Sequence, residues 1–345
     1  MPSAADDIRA AIAANNGPIS FRHFMQVALY GEHGFYSGDD NTGRAGRRGD
    51  FITSPEVGPL FGAVLARMID DQWIASGRPS QFTVVDAGAG PGTLARSILS
   101  AQPQCSDALT YIAVETSARQ RAMHPDGIIS VGEMPTEITC GVVIANELLD
   151  NLPFDLWVYD SGWRLAHVDM NGDQCVEVLH VAEPPSLFPS SAPHGTRLPW
   201  QHDAQQWLRS TLSSLQQGRV VVIDYCTALT VELVSRPYRE WLRTYVGHQR
   251  GAHYLRQPGE QDITVQVLID QLRNVREPDA VRAQAQFLAR WGIDELVDEG
   301  KKVWAQKASR PDLEAIRMRS RVSEAEALTD PSGLGAFSVC EWAIS

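Results

Sequence analysis

Five short apolar runs recur along the chain, and each ends in polar residues. Residues 82–85 lead to Asp86, residues 111–114 to Glu115, and residues 128–131 to Gly132 and Glu133. Residues 141–145 lead to Asn146 and Glu147, and the run over 219–225 ends at Asp224 and Tyr225. Such runs, rich in Val and Ile, read as buried strands of a parallel sheet. Between them the spacing lengthens to that of helices. Ile8 and Ile12 share one face of residues 1–16. Phe21, Phe24, Met25 and Leu29 form a stripe behind Ser20, a good N-cap. Ser54 and Pro55 open a predicted helix reaching residue 75, with Leu60, Phe61, Val64, Leu65, Met68 and Trp73 inward. Residues 94–99, 203–217, 263–272 and 279–306 read as further helices, the last broken at Gly292. Residues 156–181 alternate in short runs around two turns, Asp160-Ser161-Gly162 and Asn171-Gly172-Asp173, which predicts an antiparallel β meander. The Pro- and Ser-rich residues 184–199 read as a connecting loop, and residues 336–344 as a last strand. The fold class is α/β.

The first strand turns into its helix through Asp86-Ala87-Gly88-Ala89-Gly90-Pro91-Gly92-Thr93. Glycines there let the backbone turn sharply and let a ligand lie against it, and the helix start offers free N–H groups. A dinucleotide fingerprint needs G-x-G-x-x-G, and the sixth position here is Thr93. The pattern Asp-x-Gly-x-Gly-x-Gly resembles motif I of class I S-adenosylmethionine-dependent methyltransferases. In that reading Asp86 faces the cationic methionine end and Gly88, Gly90 and Gly92 shape the pocket. Glu115, 29 residues after Asp86, ends the second strand where a carboxylate accepts both ribose hydroxyls. Glu133 follows the third strand and meets the adenine edge or solvent. Asn146 and Glu147 end the fourth strand, where the methyl group faces its acceptor, and Asp150 shares their face if the chain makes a helical turn. Two carboxylates there suit a cationic acceptor such as a guanidinium.

With 345 residues, the chain is long enough for one large α/β domain with insertions or for two domains. Its net charge of −12 argues against a broad nucleic-acid surface while leaving room for a local basic patch. No apolar run is long enough to span a membrane. Residues 1–17 have neither a signal h-region nor an Arg-rich transit pattern, so a cytoplasmic location is expected. The five cysteines include no C-x-x-C pair, so neither a disulfide framework nor a metal site is expected.

Several blocks share their order with one family. They are His33-Gly34-Phe35-Tyr36, Gly49-Asp50-Phe51-Ile52-Thr53-Ser54-Pro55-Glu56 and Leu60-Phe61-Gly62, followed by the glycine turn. Val114-Glu115-Thr116-Ser117 with Gln120-Arg121 comes next, then Asn146-Glu147-Leu148-Leu149-Asp150-Asn151-Leu152-Pro153. Ile223-Asp224-Tyr225, Leu242-Arg243-Thr244-Tyr245 with His248, Pro258-Gly259 and Asp262-Ile263-Thr264 complete the set. The ordered set resembles the MidA-like S-adenosylmethionine-dependent methyltransferases, which include a mitochondrial complex I assembly factor that methylates a protein arginine. The resemblance implies a class I, Rossmann-like sheet. It further implies S-adenosylmethionine as cofactor, a protein-arginine acceptor (a respiratory subunit or another protein), and closure of Asp50, Thr53 and Ser54 over the cofactor. Four segments are expected: a helical extension (1–80), the cofactor half (81–153), the meander with its linker (154–217) and the remaining core (218–345). Cys226 and Glu240-Trp241 stand where the family carries Gly and Gly-Thr. A cofactor-binding assembly factor or chaperone without turnover is the alternative, and a nicotinamide oxidoreductase is disfavoured by Thr93 and Asp86.

Overall fold

The computed structural model describes residues 2–37, 53–246 and 249–345. They form two compact units, each drawn from three stretches of chain. The first unit comprises Met1–Phe51, Leu149–Ser210 and Cys226–Glu277, and the second Ile52–Leu148, Thr211–Tyr225 and Pro278–Ser345.

In the first unit, helices Ala4–Ala14 and Phe21–Tyr30 accompany a five-stranded antiparallel sheet. Ser20 caps the second helix, its hydroxyl accepting from the His23 N–H at 3.2 Å. The meander forms as expected over Asp155–Tyr159, Trp163–Asn171 and Gln174–Val181. One outer strand, Arg197–Trp200, lies within the stretch expected to be a loop. It pairs on one side only, so Pro199 forfeits no ladder bond. Residues expected to be helical also form strands: Asp262–Val265 pairs with Leu242–Val246, and Val267–Leu268 with Cys226–Thr227. The β-branched Ile263, Thr264 and Val265 favour that outcome, and helix resumes only at Ile269–Arg273. Phe21, Phe24, Phe154, Trp157 and Trp241 form the core. Trp241, where the family carries a small residue, is fully buried there.

The second unit is built on seven strands: β1 (Phe82–Ala87), β2 (Leu109–Val114), β3 (Ile129–Val131), β4 (Gly141–Asn146), β5 (Gly218–Asp224), β6 (Ala280–Ala283) and β7 (Ser338–Ile344). Their order is β3-β2-β1-β4-β5-β7-β6. β1 to β5 are parallel, and β7 runs antiparallel between β5 and β6. The order reverses at β1, so the carboxyl ends of β1 and β4 flank the crevice where open α/β sheets bind ligands. This is the class I methyltransferase-like sheet that the sequence predicted.

Its helices are α1 (Pro59–Ala75), α2 (Thr93–Ser100), α3 (Gln284–Arg290), α4 (Ile293–Lys307) and α5 (Leu313–Thr329). The helix predicted to begin at Ser54 is split. Thr53 is the N-cap of one turn, Ser54–Val57, and α1 starts afresh at Pro59. A residue preceding proline is pushed out of the helical region, which ends the first turn at Gly58. The buried Glu324 of α5 accepts the Leu60 N–H at 2.8 Å and so satisfies the start of α1. α5 itself carries too weak an apolar stripe to stand out in the sequence. The edge strand β6 lies in a stretch that reads as helix. Leu60, Phe61, Val64, Leu94, Ile98, Val142 and Ile144 form the core.

Candidate active site

The glycine turn is fixed by short-range bonds. The N–H groups of Gly88 and Ala89 both donate to the Val114 carbonyl, and Gly92 donates to Ala89. Gly88, Gly90 and Gly92 have φ of 71°, 53° and 79°, a left-handed backbone that side chains with a Cβ resist. A Cβ on Gly90 would stand 3.2 Å from Gln120 Oε1, and one on Gly88 3.0 Å from Leu148.

Glu115, one residue past β2, binds the turn. Its Oε2 accepts the Gly90 N–H at 3.0 Å and its Oε1 the Ser117 N–H at 2.8 Å. Oε1 also accepts the Thr116 hydroxyl at 3.4 Å, so Oε2 is the oxygen that keeps a further lone pair for a ribose hydroxyl. His124 braces the other side, with Nε2 2.9 Å from the Gly90 carbonyl and Nδ1 2.8 Å from Ser130 Oγ. A carbonyl only accepts, so these partners assign the proton to Nε2. The Gln120 Oε1 is buried without a hydrogen-bond partner. Glu133, after β3, is exposed.

Asp86 stands one place inside β1, paired with Ala113 and Ile144. Alternation puts it on the face of Phe82 and Val84, where Tyr111 donates to Oδ2 at 3.0 Å. Burial pushes the Asp86 carboxyl up to about 7 against that hydrogen bond, and the Glu115 charge adds to the rise.

At β4, Asn146 is the last strand residue, and Glu147 turns away with φ 52°. The Glu147 Oε1 accepts the Ser54 N–H and the Asn146 amide, each at 3.2 Å. The Ser54 hydroxyl donates to Gln284 Oε1 at 3.0 Å, and Gln284 Nε2 donates to the Leu328 carbonyl. Burial raises the Glu147 carboxyl to about 7, opposed by the Ser54 and Asn146 bonds. The Asn146 Oδ1 is buried and has no hydrogen-bond partner among the described residues. The Thr93 hydroxyl donates to Glu56 at 2.9 Å.

The expected helical face shared by Glu147 and Asp150 does not form. Glu147 has a left-handed backbone, and the next turn starts only at Leu149. Asp150 is buried in the first unit, where burial first and the Asp150 charge second raise Asp262 to about 7. The Tyr36 hydroxyl and the Asn151 amide both donate to Asp262 there. Thr53 and Ser54 are adjacent to the Glu147 contact, whereas Asp50 lies outside the described residues. His124 and Gln284 carry no motif in the sequence. Gln120 entered only within a family block. Among the described residues, no three His, Cys, Asp or Glu side chains gather as a metal site.

The model of one family, described as "Putative S-adenosyl-L-methionine-dependent methyltransferase", matches residues 64–286. The chain belongs to that family. It is 26% identical over 346 residues to the mouse "Protein arginine methyltransferase NDUFAF7, mitochondrial", covering 86% of this chain and 75% of that protein. The rat protein of the same name is also 26% identical, with 88% of this chain and 77% of the relative covered. A Burkholderia thailandensis protein described as a "likely methyl transferase" and crystallised with S-adenosyl-homocysteine superposes with a TM-score of 0.81 at 27% identity. That match covers 99% of this chain and 91% of the other.

The enzyme is therefore an S-adenosylmethionine-dependent methyltransferase. Its residues fit that cofactor: a glycine cradle that a Cβ would fill, a carboxylate oxygen with a spare lone pair, and a buried Gln120 oxygen lacking a partner among the described residues. The expected cytoplasmic location is overturned, because these curated relatives are mitochondrial proteins. The expectation rests on the pattern of residues 1–17, and location is set by receptor-read signals that need not follow a simple compositional pattern.

Proposed function

We propose that the enzyme methylates an arginine side chain of a protein, with Glu147 orienting the guanidinium. The observation that carries this reading is the pair of acceptors at the end of β4. Glu147 Oε1 is engaged by Ser54 and Asn146, Oε2 takes no hydrogen bond among the described residues, and the adjacent Asn146 Oδ1 is buried without a partner. A guanidinium offers a planar fork of N–H donors to such oxygens. The activity named for the mouse and rat relatives points the same way.

Gly88, Gly90 and Gly92 hold the cofactor's backbone-facing side in this reading, Glu115 its ribose, and Glu133 its adenine edge. Asp86 supports the turn from within the strand, and Thr53 and Ser54 line the approach to Glu147. The bound cofactor supplies an already activated sulfonium methyl, so the protein's work is alignment and exclusion of water. As the guanidinium nitrogen gains the methyl group it gives up one proton. A carboxylate raised to about 7 is suited to accept it.

The test is Glu147→Gln, with S-adenosyl-homocysteine affinity and turnover on arginine-containing protein substrates measured together. Affinity within about twofold and turnover reduced at least about 100-fold are expected. Full turnover in the variant would remove Glu147 from the mechanism. Turnover on lysine but not on arginine would overturn the acceptor assignment.

A further inference from the structure

Helices α4 and α5 form an antiparallel hairpin whose two halves differ. Near the sheet, Ile293, Leu296, Val297 and Leu328 join the core. In the distal part, over residues 301–321, Ala315 is the only buried side chain. Apolar groups nevertheless point outward there: Leu313 is 83% exposed and Ile316 54%. The same segment carries seven Lys and Arg against two acidic residues, in a chain whose net charge is −12.

Both acids are already neutralised. Asp312 and Glu314 share the ammonium of Lys307, and Asp312 also accepts the Ala315 N–H. Lys301 pairs with Asp298, Arg321 with Glu299, and Arg319 lies 4.7 Å over the Trp304 ring. Lys302, Arg310 and Arg317 are exposed and have no side-chain partner among the described residues.

We propose that this distal half-hairpin docks the enzyme peripherally onto an anionic lipid bilayer. Leu313 and Ile316 would enter the interface while Lys302, Arg310 and Arg317 meet the headgroups. Protruding apolar side chains ringed by basic ones are what an interfacial anchor requires. Exposed Leu and Ile side chains gain little against a nucleic-acid backbone, whereas a lipid interface takes up both the apolar and the basic groups. The segment is a place where an otherwise acidic chain can approach a negative surface with little repulsion. No described helix is long and apolar enough to cross a membrane, so the contact is a surface one.

The test is sedimentation of the full chain with phosphatidylcholine vesicles, with and without one-third phosphatidylglycerol. Partition onto the anionic vesicles is expected to be at least tenfold stronger and to fall as salt is raised. Each basic contact contributes about fivefold, so the triple variant Lys302→Gln, Arg310→Gln, Arg317→Gln should lose about 100-fold. Leu313→Ser with Ile316→Ser should lose at least about tenfold. Unchanged S-adenosyl-homocysteine affinity shows that either variant is folded, and the outcome is independent of which acceptor the enzyme methylates. Equal partition onto neutral and anionic vesicles, no partition at all, or variants that bind like the parent would overturn the proposal. So would capture of the tip by poly-glutamate without any vesicle binding.

Discussion

The carboxyl ends of β1 and β4 flank one crevice, yet they are built by opposite means. At β1 nearly every stabilising bond is local: Gly88 and Ala89 reach Val114, Gly90 reaches Glu115, and His124 closes on Gly90, all within about forty residues of chain. At β4 the decisive partners are distant. Ser54 reaches Glu147 across 93 positions and Gln284 across 230. On the proposed reading the cofactor side is thus a motif, while the acceptor side is an assembly of separate segments. Only the first can be read from spacing.

Damage to the two ends should therefore separate binding from turnover. The largest effect is expected from Gly90→Val, which forces a β-branched side chain into φ 53° and against Gln120. Calorimetry should show S-adenosyl-homocysteine affinity reduced at least about 100-fold, and affinity within tenfold of the parent would mean that the cradle is not the cofactor site. Next comes Gln284→Ala, which releases the Ser54 hydroxyl and with it the brace on Glu147. A fall in kcat of about tenfold with cofactor affinity within twofold is expected. An equal loss of affinity and kcat would show that the two ends are not separable.

A pH series probes the buried acids themselves. Both Asp86 and Glu147 rise to about 7 in the folded enzyme, above their ordinary values of 3.8 and 4.5. Between those limits the folded state holds more protons than the unfolded state, so both groups make stability fall as pH rises from about 4 to 7. Asp86→Asn should flatten that fall, raising Tm by about 2–4 °C at pH 8 while changing it little at pH 4. A parallel, unflattened curve would show that Asp86 is not the group responsible. Turnover should instead rise with pH through about 7 as Glu147 ionises, and Asp86→Asn should leave that midpoint in place. The smallest effect belongs to Thr93→Ala, which loses one hydrogen bond to Glu56. A change of cofactor affinity within about threefold is expected by titration.

The same contrast explains what the sequence discloses. The five parallel strands, the meander and the glycine turn all follow from uninterrupted or alternating apolar runs and turn residues. Residues 263–265 read as helix because Ile263 with Val267 and Val265 with Leu268 have helical spacing, and only the pairing with Leu242–Val246 makes them a strand. β6 is an edge strand of four residues whose single neighbour lies near residue 340. Asp86 and Glu115 look equivalent in the sequence, each an acid after an apolar run. One extra ladder position buries the first against Tyr111 and leaves the second free to clasp the turn. Side-chain roles that hang on a single residue of register lie below what periodicity resolves.

The insertion of β7 between β5 and β6 has a consequence for how the sheet is completed. β6 touches the sheet only through β7, although it precedes β7 by more than fifty residues. Until Ser338–Ile344 arrives, β5 presents a bare flank and β6 has nothing to join. α3, with Gln284 at its head, follows directly on β6. Removing those seven residues would strip two strands rather than one, and would slacken the tether that runs from Gln284 through Ser54 to Glu147. The geometry at the end of β4 is in this sense secured by the last strand of the sheet, whose first residues pair beside Ile223 and Ala283.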